Sequence, residues 1–135
     1  MNKKIVGIGC LIIILIVVFT ASSDSGLDES VISQTIFVDA VYEPENNIVL
    51  IKYVDSSEMT QLVTLEILGM EKTFHKEFLQ QSFVETVQIS SIPQYGWATM
   101  PVIFTLDHEE FGKISLKTEI HLSDEMKPRV IYSKI

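Results

Sequence analysis

Cysteine is almost missing from this chain: Cys10 is the only one among 135 residues. Everything beyond it has to fold without an internal disulfide, the device that small exported domains commonly use. A blue-copper centre, which needs a cysteine thiolate beside two histidines, is excluded there, and so is a nucleophilic cysteine. Histidine is scarce, with only His75, His108 and His121. Basic residues are also short: 10 Lys and Arg stand against 18 Asp and Glu, a net charge of −8. Lys3 and Lys4 are two of those ten, so the chain beyond them carries −10. Nucleic acid and anionic lipid both need a basic face, and neither is expected as a partner. No G-x-S-x-G, Walker or Rossmann glycine pattern occurs, no D-x-D-x-D-G calcium loop and no N-x-S/T sequon. With none of these, the chain reads as a non-enzyme that carries no cofactor.

What the sequence does have is one long apolar stretch. Residues 5–21, "IVGIGCLIIILIVVFTA", contain no charge. As a helix they reach about 25 Å, near the lower limit for a bilayer core of about 30 Å. The run is slightly long for the apolar part of a signal peptide, about 7–15 residues. It therefore reads as a retained transmembrane anchor, with Ile5, Leu11, Ile14 and Val18 among its anchoring residues. Cleavage after Ser22 and secretion is the alternative. Cys10 stands at the start of the run, where a lipoprotein cysteine would end it, so it is taken as a small apolar side chain. Lys3 and Lys4 keep the N-terminus cytoplasmic, which places the remainder outside a cell membrane crossed once. The expected organisation is an anchor over residues 1–22, a polar linker over 23–33 and an extracytoplasmic domain over 34–135.

That domain alternates like β structure. "QTIFVDAVY", "IVLIKYVD", "TQLVTLEIL", "SFVETVQIS", "MPVIFTLD" and "KISLKTEIHL" are rich in β-branched and aromatic residues. Turn signals such as "EPENN" and "HEEFG" separate them. In the last segment Ile114, Leu116, Ile120 and Leu122 are expected to face inward, with His121 outward. "RVIYSKI" reads as an edge strand or a tail. No stretch after Ala21 has a convincing helical period. About seven short strands predict an all-β fold, an antiparallel β-sandwich preceded by one transmembrane helix. Over residues 34–122 the pattern resembles an immunoglobulin-like or fibronectin-type-III-like sandwich, in architecture alone. It departs from that pattern in having no cysteine pair between the sheets and no Trp97 set between two cysteines.

Two kinds of site are conceivable. An exposed aromatic or apolar cluster would mark a contact face. Tyr95, Trp97 and Ile103 are the candidates, the first two in the proline-bounded loop "SIPQYGWATMP"; Phe37 and Val41 join them if Ile36, Val38 and Ala40 face inward. The expected partner is then another membrane or envelope protein. The alternative is an exported metal-binding protein using acidic loops. Asp107, His108, Glu109 and Glu110 are its first candidates, although neighbouring residues at a hairpin tip mostly point apart. Asp39, Glu43, Glu45, Asp55 and Glu58 would follow if the strand ends gather them at one pole. His75 and His121 read as exposed strand residues.

Overall fold

The computed structural model of the chain describes residues 28–135. The apolar run, with Ile5, Leu11, Ile14 and Val18, lies outside the described residues. Among the described residues no helix is long and apolar enough to cross a membrane.

Among the described residues a helix comes first, where the sequence showed no helical period. α1 (Glu29–Thr35) is capped by Asp28, whose carboxylate accepts the backbone N–H groups of Ser30 and Val31. Ile32 is its one buried residue, packed into the core. Two turns with a single apolar contact are too short to show a 3.6-residue period. The packed unit thus takes in residues expected to be linker.

Nine strands follow. They are β1 (Ile36–Glu43), β2 (Ile48–Asp55), β3 (Thr60–Ile67), β4 (Phe74–Phe78), β5 (Ser82–Gln88), β6 (Val102–His108), β7 (Gly112–Thr118), β8 (His121–Leu122) and β9 (Ile131–Lys134). One sheet runs β5-β2-β1-β8 and the other β4-β3-β6-β7-β9. The six quoted segments form β1, β2, β3, β5, β6 and β7, "RVIYSKI" supplies β9 as an edge strand, and the chain adds the short strands β4 and β8. Side chains at alternate positions of β1 (Ile36, Val38, Ala40, Tyr42) and β2 (Val49, Ile51, Tyr53) meet those of β3 (Val63, Leu65, Ile67), β6 (Val102, Phe104, Leu106) and β7 (Ile114, Leu116) in one core. This is the two-residue period of strands with one face buried. Phe37 and Val41 accordingly point outward, Phe37 lying under the ammonium groups of Lys52 and Lys127.

Two irregularities place polar residues inside. A register shift between Thr60 and Leu62 lets Thr60 turn inward three residues before Val63, as a bulge does. The alternation of "KISLKTEIHL" continues through Thr118 and Ile120, both buried, but the chain leaves the second sheet there. His121 enters the first sheet as the start of β8, in parallel register with Val41, and is buried. It was expected on the solvent face because the switch of sheets is invisible to alternation.

The sandwich has two poles. Thr35, at the end of α1, accepts the Ser56 N–H and hydroxyl, so α1 sits at the pole of the β2–β3, β4–β5 and β6–β7 turns. The opposite pole, about 25 Å away by the rise of eight strand residues, holds residues 44–47, 68–73 and 89–101.

Candidate functional site

At the α1 pole the sheets are tied by a buried polar network. Asp55 ends β2 in the first sheet; Thr60 and His108 face it from β3 and β6 in the second. The Asp55 carboxylate accepts five hydrogen bonds: from the N–H and hydroxyl of Ser57 (2.9 and 2.6 Å), the N–H of Met59 (3.2 Å), the hydroxyl of Thr60 (2.6 Å) and Nε2 of His108 (3.1 Å). The Thr60 proton is committed to Asp55, so the Tyr53 hydroxyl donates to Thr60 Oγ1 at 2.6 Å. Burial alone would push the Asp55 carboxyl up; the Ser57 and Thr60 hydroxyls, the Ser57 N–H and His108 outweigh it and hold the group below its ordinary range. Burial, chiefly, raises the Tyr53 phenol. His108 Nδ1 accepts the N–H groups of Glu110 and Phe111, so the ring proton is on Nε2.

Ser57, His108 and Asp55 have the composition of a hydrolytic triad but not its wiring. A triad needs the carboxylate on one ring nitrogen and the serine on the other. Here both press on Nε2, at 3.1 and 3.2 Å, and the Ser57 hydroxyl donates to Asp55. The nitrogen that would take a serine proton already carries its own. Asp55 in the first sheet is thereby bonded to Thr60 and His108 in the second.

The same network settles where the acidic candidates lie. His108 turns inward and stacks on Phe111, whereas Asp107 points to the outer face and Glu109 and Glu110 are exposed. His108, expected at the hairpin tip among the acidic candidates, is paired instead with Asp55, a partner 53 residues away. Asp55 and Glu58 fall at the α1 pole and Glu43 and Glu45 at the other, with Asp39 between, because β1 and β2 run antiparallel. Among the described residues no three His, Cys, Asp or Glu side chains are placed to hold a metal ion. His75 is exposed on β4, 3.7 Å from Glu66.

The far pole has a different character. Residues 68–73 and 89–101 enclose a groove of about 650 Å³, with Met70, Ile89, Pro93 and Met100 as apolar lining and Glu71, Lys72, Gln88, Ser90 and Ser91 as polar lining. Gly69 makes the walls meet. Its φ is +80°, and a Cβ there would collide with the Thr99 carbonyl. The Leu68 N–H donates to Pro101 O at 3.1 Å beside it. The loop is held from below by Trp97, which opens a 3₁₀ turn (Trp97–Thr99) and packs against Tyr42 with ring centroids 5.1 Å apart. The Tyr42 hydroxyl is in turn fixed on Asn47. Above this support Ile92 is 58% and Tyr95 82% exposed.

The structure thus separates the aromatic candidates. Tyr95 is offered to solvent, and Trp97 anchors the loop that carries it. Ile103 is half-buried on the outer face of the second sheet, in register with Glu66 and Lys117, apart from the groove. Met70 and Ile92 were not singled out from the sequence; "LGM" with its turn glycine was the signal for the first. Comparisons with protein-family models, curated proteins and solved structures give no significant match.

Proposed function

We propose that this chain is a protein-interaction module whose contact site is the far-pole groove together with Ile92 and Tyr95. The observation that carries the reading is the pairing of two exposed apolar side chains with a loop braced from beneath. A loop already ordered loses less conformational freedom on binding, and tyrosine is a residue type that anchors interfaces. An acidic surface favours a protein partner over nucleic acid. An immunoglobulin-like shape fits the strand order: β5-β2-β1 and β4-β3-β6-β7 follow the E-B-A and C-F-G neighbours of such sandwiches, with β4 as an added edge. We further infer that residues 5–21 hold the module on the outer side of a cell membrane, where it serves as an accessory to another membrane or envelope protein. α1 begins eight residues after the end of that run, at the pole opposite the groove, which fits a groove facing away from the bilayer.

The test is the double variant Ile92→Ser, Tyr95→Ala. It should keep the circular dichroism and unfolding midpoint of the wild type and lose the proteins that copurify with it from native membranes. Retention of the same partners by a folded variant overturns the reading. The intact mass of the protein in carbonate-washed membranes tests the anchor separately. A full-length mass supports it; a soluble form beginning near Ser23 shows cleavage.

A further inference from the structure

We propose that the outer face of β5-β2-β1 is a self-docking surface, which pairs two copies of this chain side by side. Val49, Ile51 and Tyr53 turn into the core on β2, so Ile48, Leu50, Lys52 and Val54 turn out. Phe37 and Val41 on β1 and Val84 on β5 join them on that face. Phe37 is 41% and Val84 63% exposed. The ionisable side chains that these three strands add to the face are Asp39, Glu43 and Lys52. The other sheet makes the contrast. Its outer face presents Glu66, Glu77, Asp107, Lys113 and Lys117, as a surface left in water does. One chain thus carries one polar and one largely apolar outer face, and the apolar one calls for a partner.

The charges on the face identify that partner as a second copy. Lys52 stands in register with Asp39, yet no salt bridge joins them among the described residues. Asp39 Oδ1 accepts the Ala40 N–H at 3.0 Å and meets His121 Nε2 at 2.7 Å, whereas Oδ2 has no hydrogen bond among the described residues. A two-fold axis laid along the strands, between β1 and β2, brings together residues at equal height. Leu50 then faces the second copy's Val41, Val54 faces its Phe37, and Lys52 faces its Asp39, each contact being made twice. Shifted onto β2, the axis sets Lys52 against Lys52; shifted onto β1, it sets Asp39 against Asp39. Turned across the strands, it places Lys52 on Lys52 or on an apolar side chain. Only the first arrangement joins opposite charges and buries apolar residues on apolar residues. Glu43 falls opposite Ile48 at the end of the face, where its carboxylate reaches water. Lys127 lies 4.4 Å over Phe37 and bounds the face on the β8 side.

Such a pair packs two sheets about 10 Å apart with their strands nearly aligned. The three strands cover about 14 Å by 25 Å, or about 350 Å² per copy. A stable interface formed from dilute solution takes about 800 Å² per partner, so this one is weak by itself. The same axis places both α1 poles on one side and both grooves on the other. Two chains whose residues 5–21 share a bilayer would meet in this orientation at a high effective concentration. That setting rests on the membrane reading above; the pairing of the faces does not.

The test is disulfide trapping between full-length chains coexpressed in cells, with Cys10→Ala in every chain so that each has a single thiol. A tagged Val41→Cys chain and an untagged Leu50→Cys chain should form a mixed disulfide under mild oxidation. Two Lys117→Cys chains, marked on the outer face of the other sheet, should form none. Leu50→Cys chains alone should link more weakly than the mixed pair, because the axis sets those two positions a strand apart. Adding Lys52→Glu to both chains of the mixed pair opposes like charges and should cut the yield about tenfold, with circular dichroism unchanged. Equal trapping at position 117, or none between positions 41 and 50, overturns the proposal. Stronger trapping of Leu50→Cys with itself overturns it as well, since that is the mark of an axis across the strands. An undiminished yield in a folded Lys52→Glu pair also overturns it; if that variant does not fold, the three cysteine comparisons decide. The mass of the adduct shows whether each chain keeps residues 1–22. Adducts between cleaved chains support the pairing and withdraw only its membrane setting.

Discussion

Asp55 shows how one side chain decides the stability of the α1 pole. Its carboxylate is fully enclosed yet accepts five hydrogen bonds, so the cost of burial is met by partners. Asp55→Ala would leave Ser57, Thr60 and His108 without their shared acceptor and should cost about 2–4 kcal/mol at neutral pH, read from urea unfolding. The pH sign follows from a carboxyl held below its ordinary range in the folded protein. Its contribution is present above about pH 4, where the unfolded group is ionised, and is lost as pH falls through the folded value. The wild type should therefore lose stability toward about pH 3 more steeply than Asp55→Asn; parallel curves would contradict this. Gly69 decides the far pole in the same way. Gly69→Ala needs a strained positive φ and drives a Cβ into the Thr99 carbonyl, so it should cost about 1–3 kcal/mol and part the groove walls. Increased proteolysis within residues 89–101 would report that opening, and a variant with wild-type stability and cleavage would refute it.

At the level of elements, burial explains both what the sequence revealed and what it hid. β1, β3, β6 and β7 were legible because each puts one face in the core, and Val63, Leu65 and Ile67 or Val102, Phe104 and Leu106 then fall at every second residue. α1 was hidden because Ile32 is its only core contact. Ile32→Ala should nonetheless cost about 2–4 kcal/mol in thermal or urea unfolding, since that one side chain is fully buried. A loss within about 0.5 kcal/mol would mean that α1 is not docked. β8 was hidden because its place comes from a change of sheet after Thr118. The contacts of His121 and His108 were hidden for a further reason. Their partners, Asp39 and Asp55, are 82 and 53 residues away in the chain. At a turn or on a strand, a histidine or aspartate destined for such a pair is the same residue type as one left in water. The groove was partly legible: the prolines, Tyr95 and Trp97 marked its loop, but exposure of Tyr95 and packing of Trp97 depend on Tyr42, far off in sequence.

For the whole molecule, the arrangement of the poles matters most. One pole joins α1 and the buried Asp55–His108 network; the other combines a groove, two exposed apolar side chains and a braced loop. On the proposed reading, stability and recognition would lie at opposite ends of the sandwich. The supporting aromatic pair can be separated from the contact residues by mutation. Trp97→Ala should lower stability and loosen residues 89–101 together, whereas Ile92→Ser and Tyr95→Ala should leave both unchanged. The most direct measurement is site-specific photo-crosslinking in intact cells, with the photoreactive residue at position 95 in one chain and at position 115, on the outer face of the second sheet, in another. The expected result is a discrete adduct to one protein from position 95 that is absent from position 115. Equal yields from both positions, or none from position 95 in a folded chain, would contradict a contact site at the far pole.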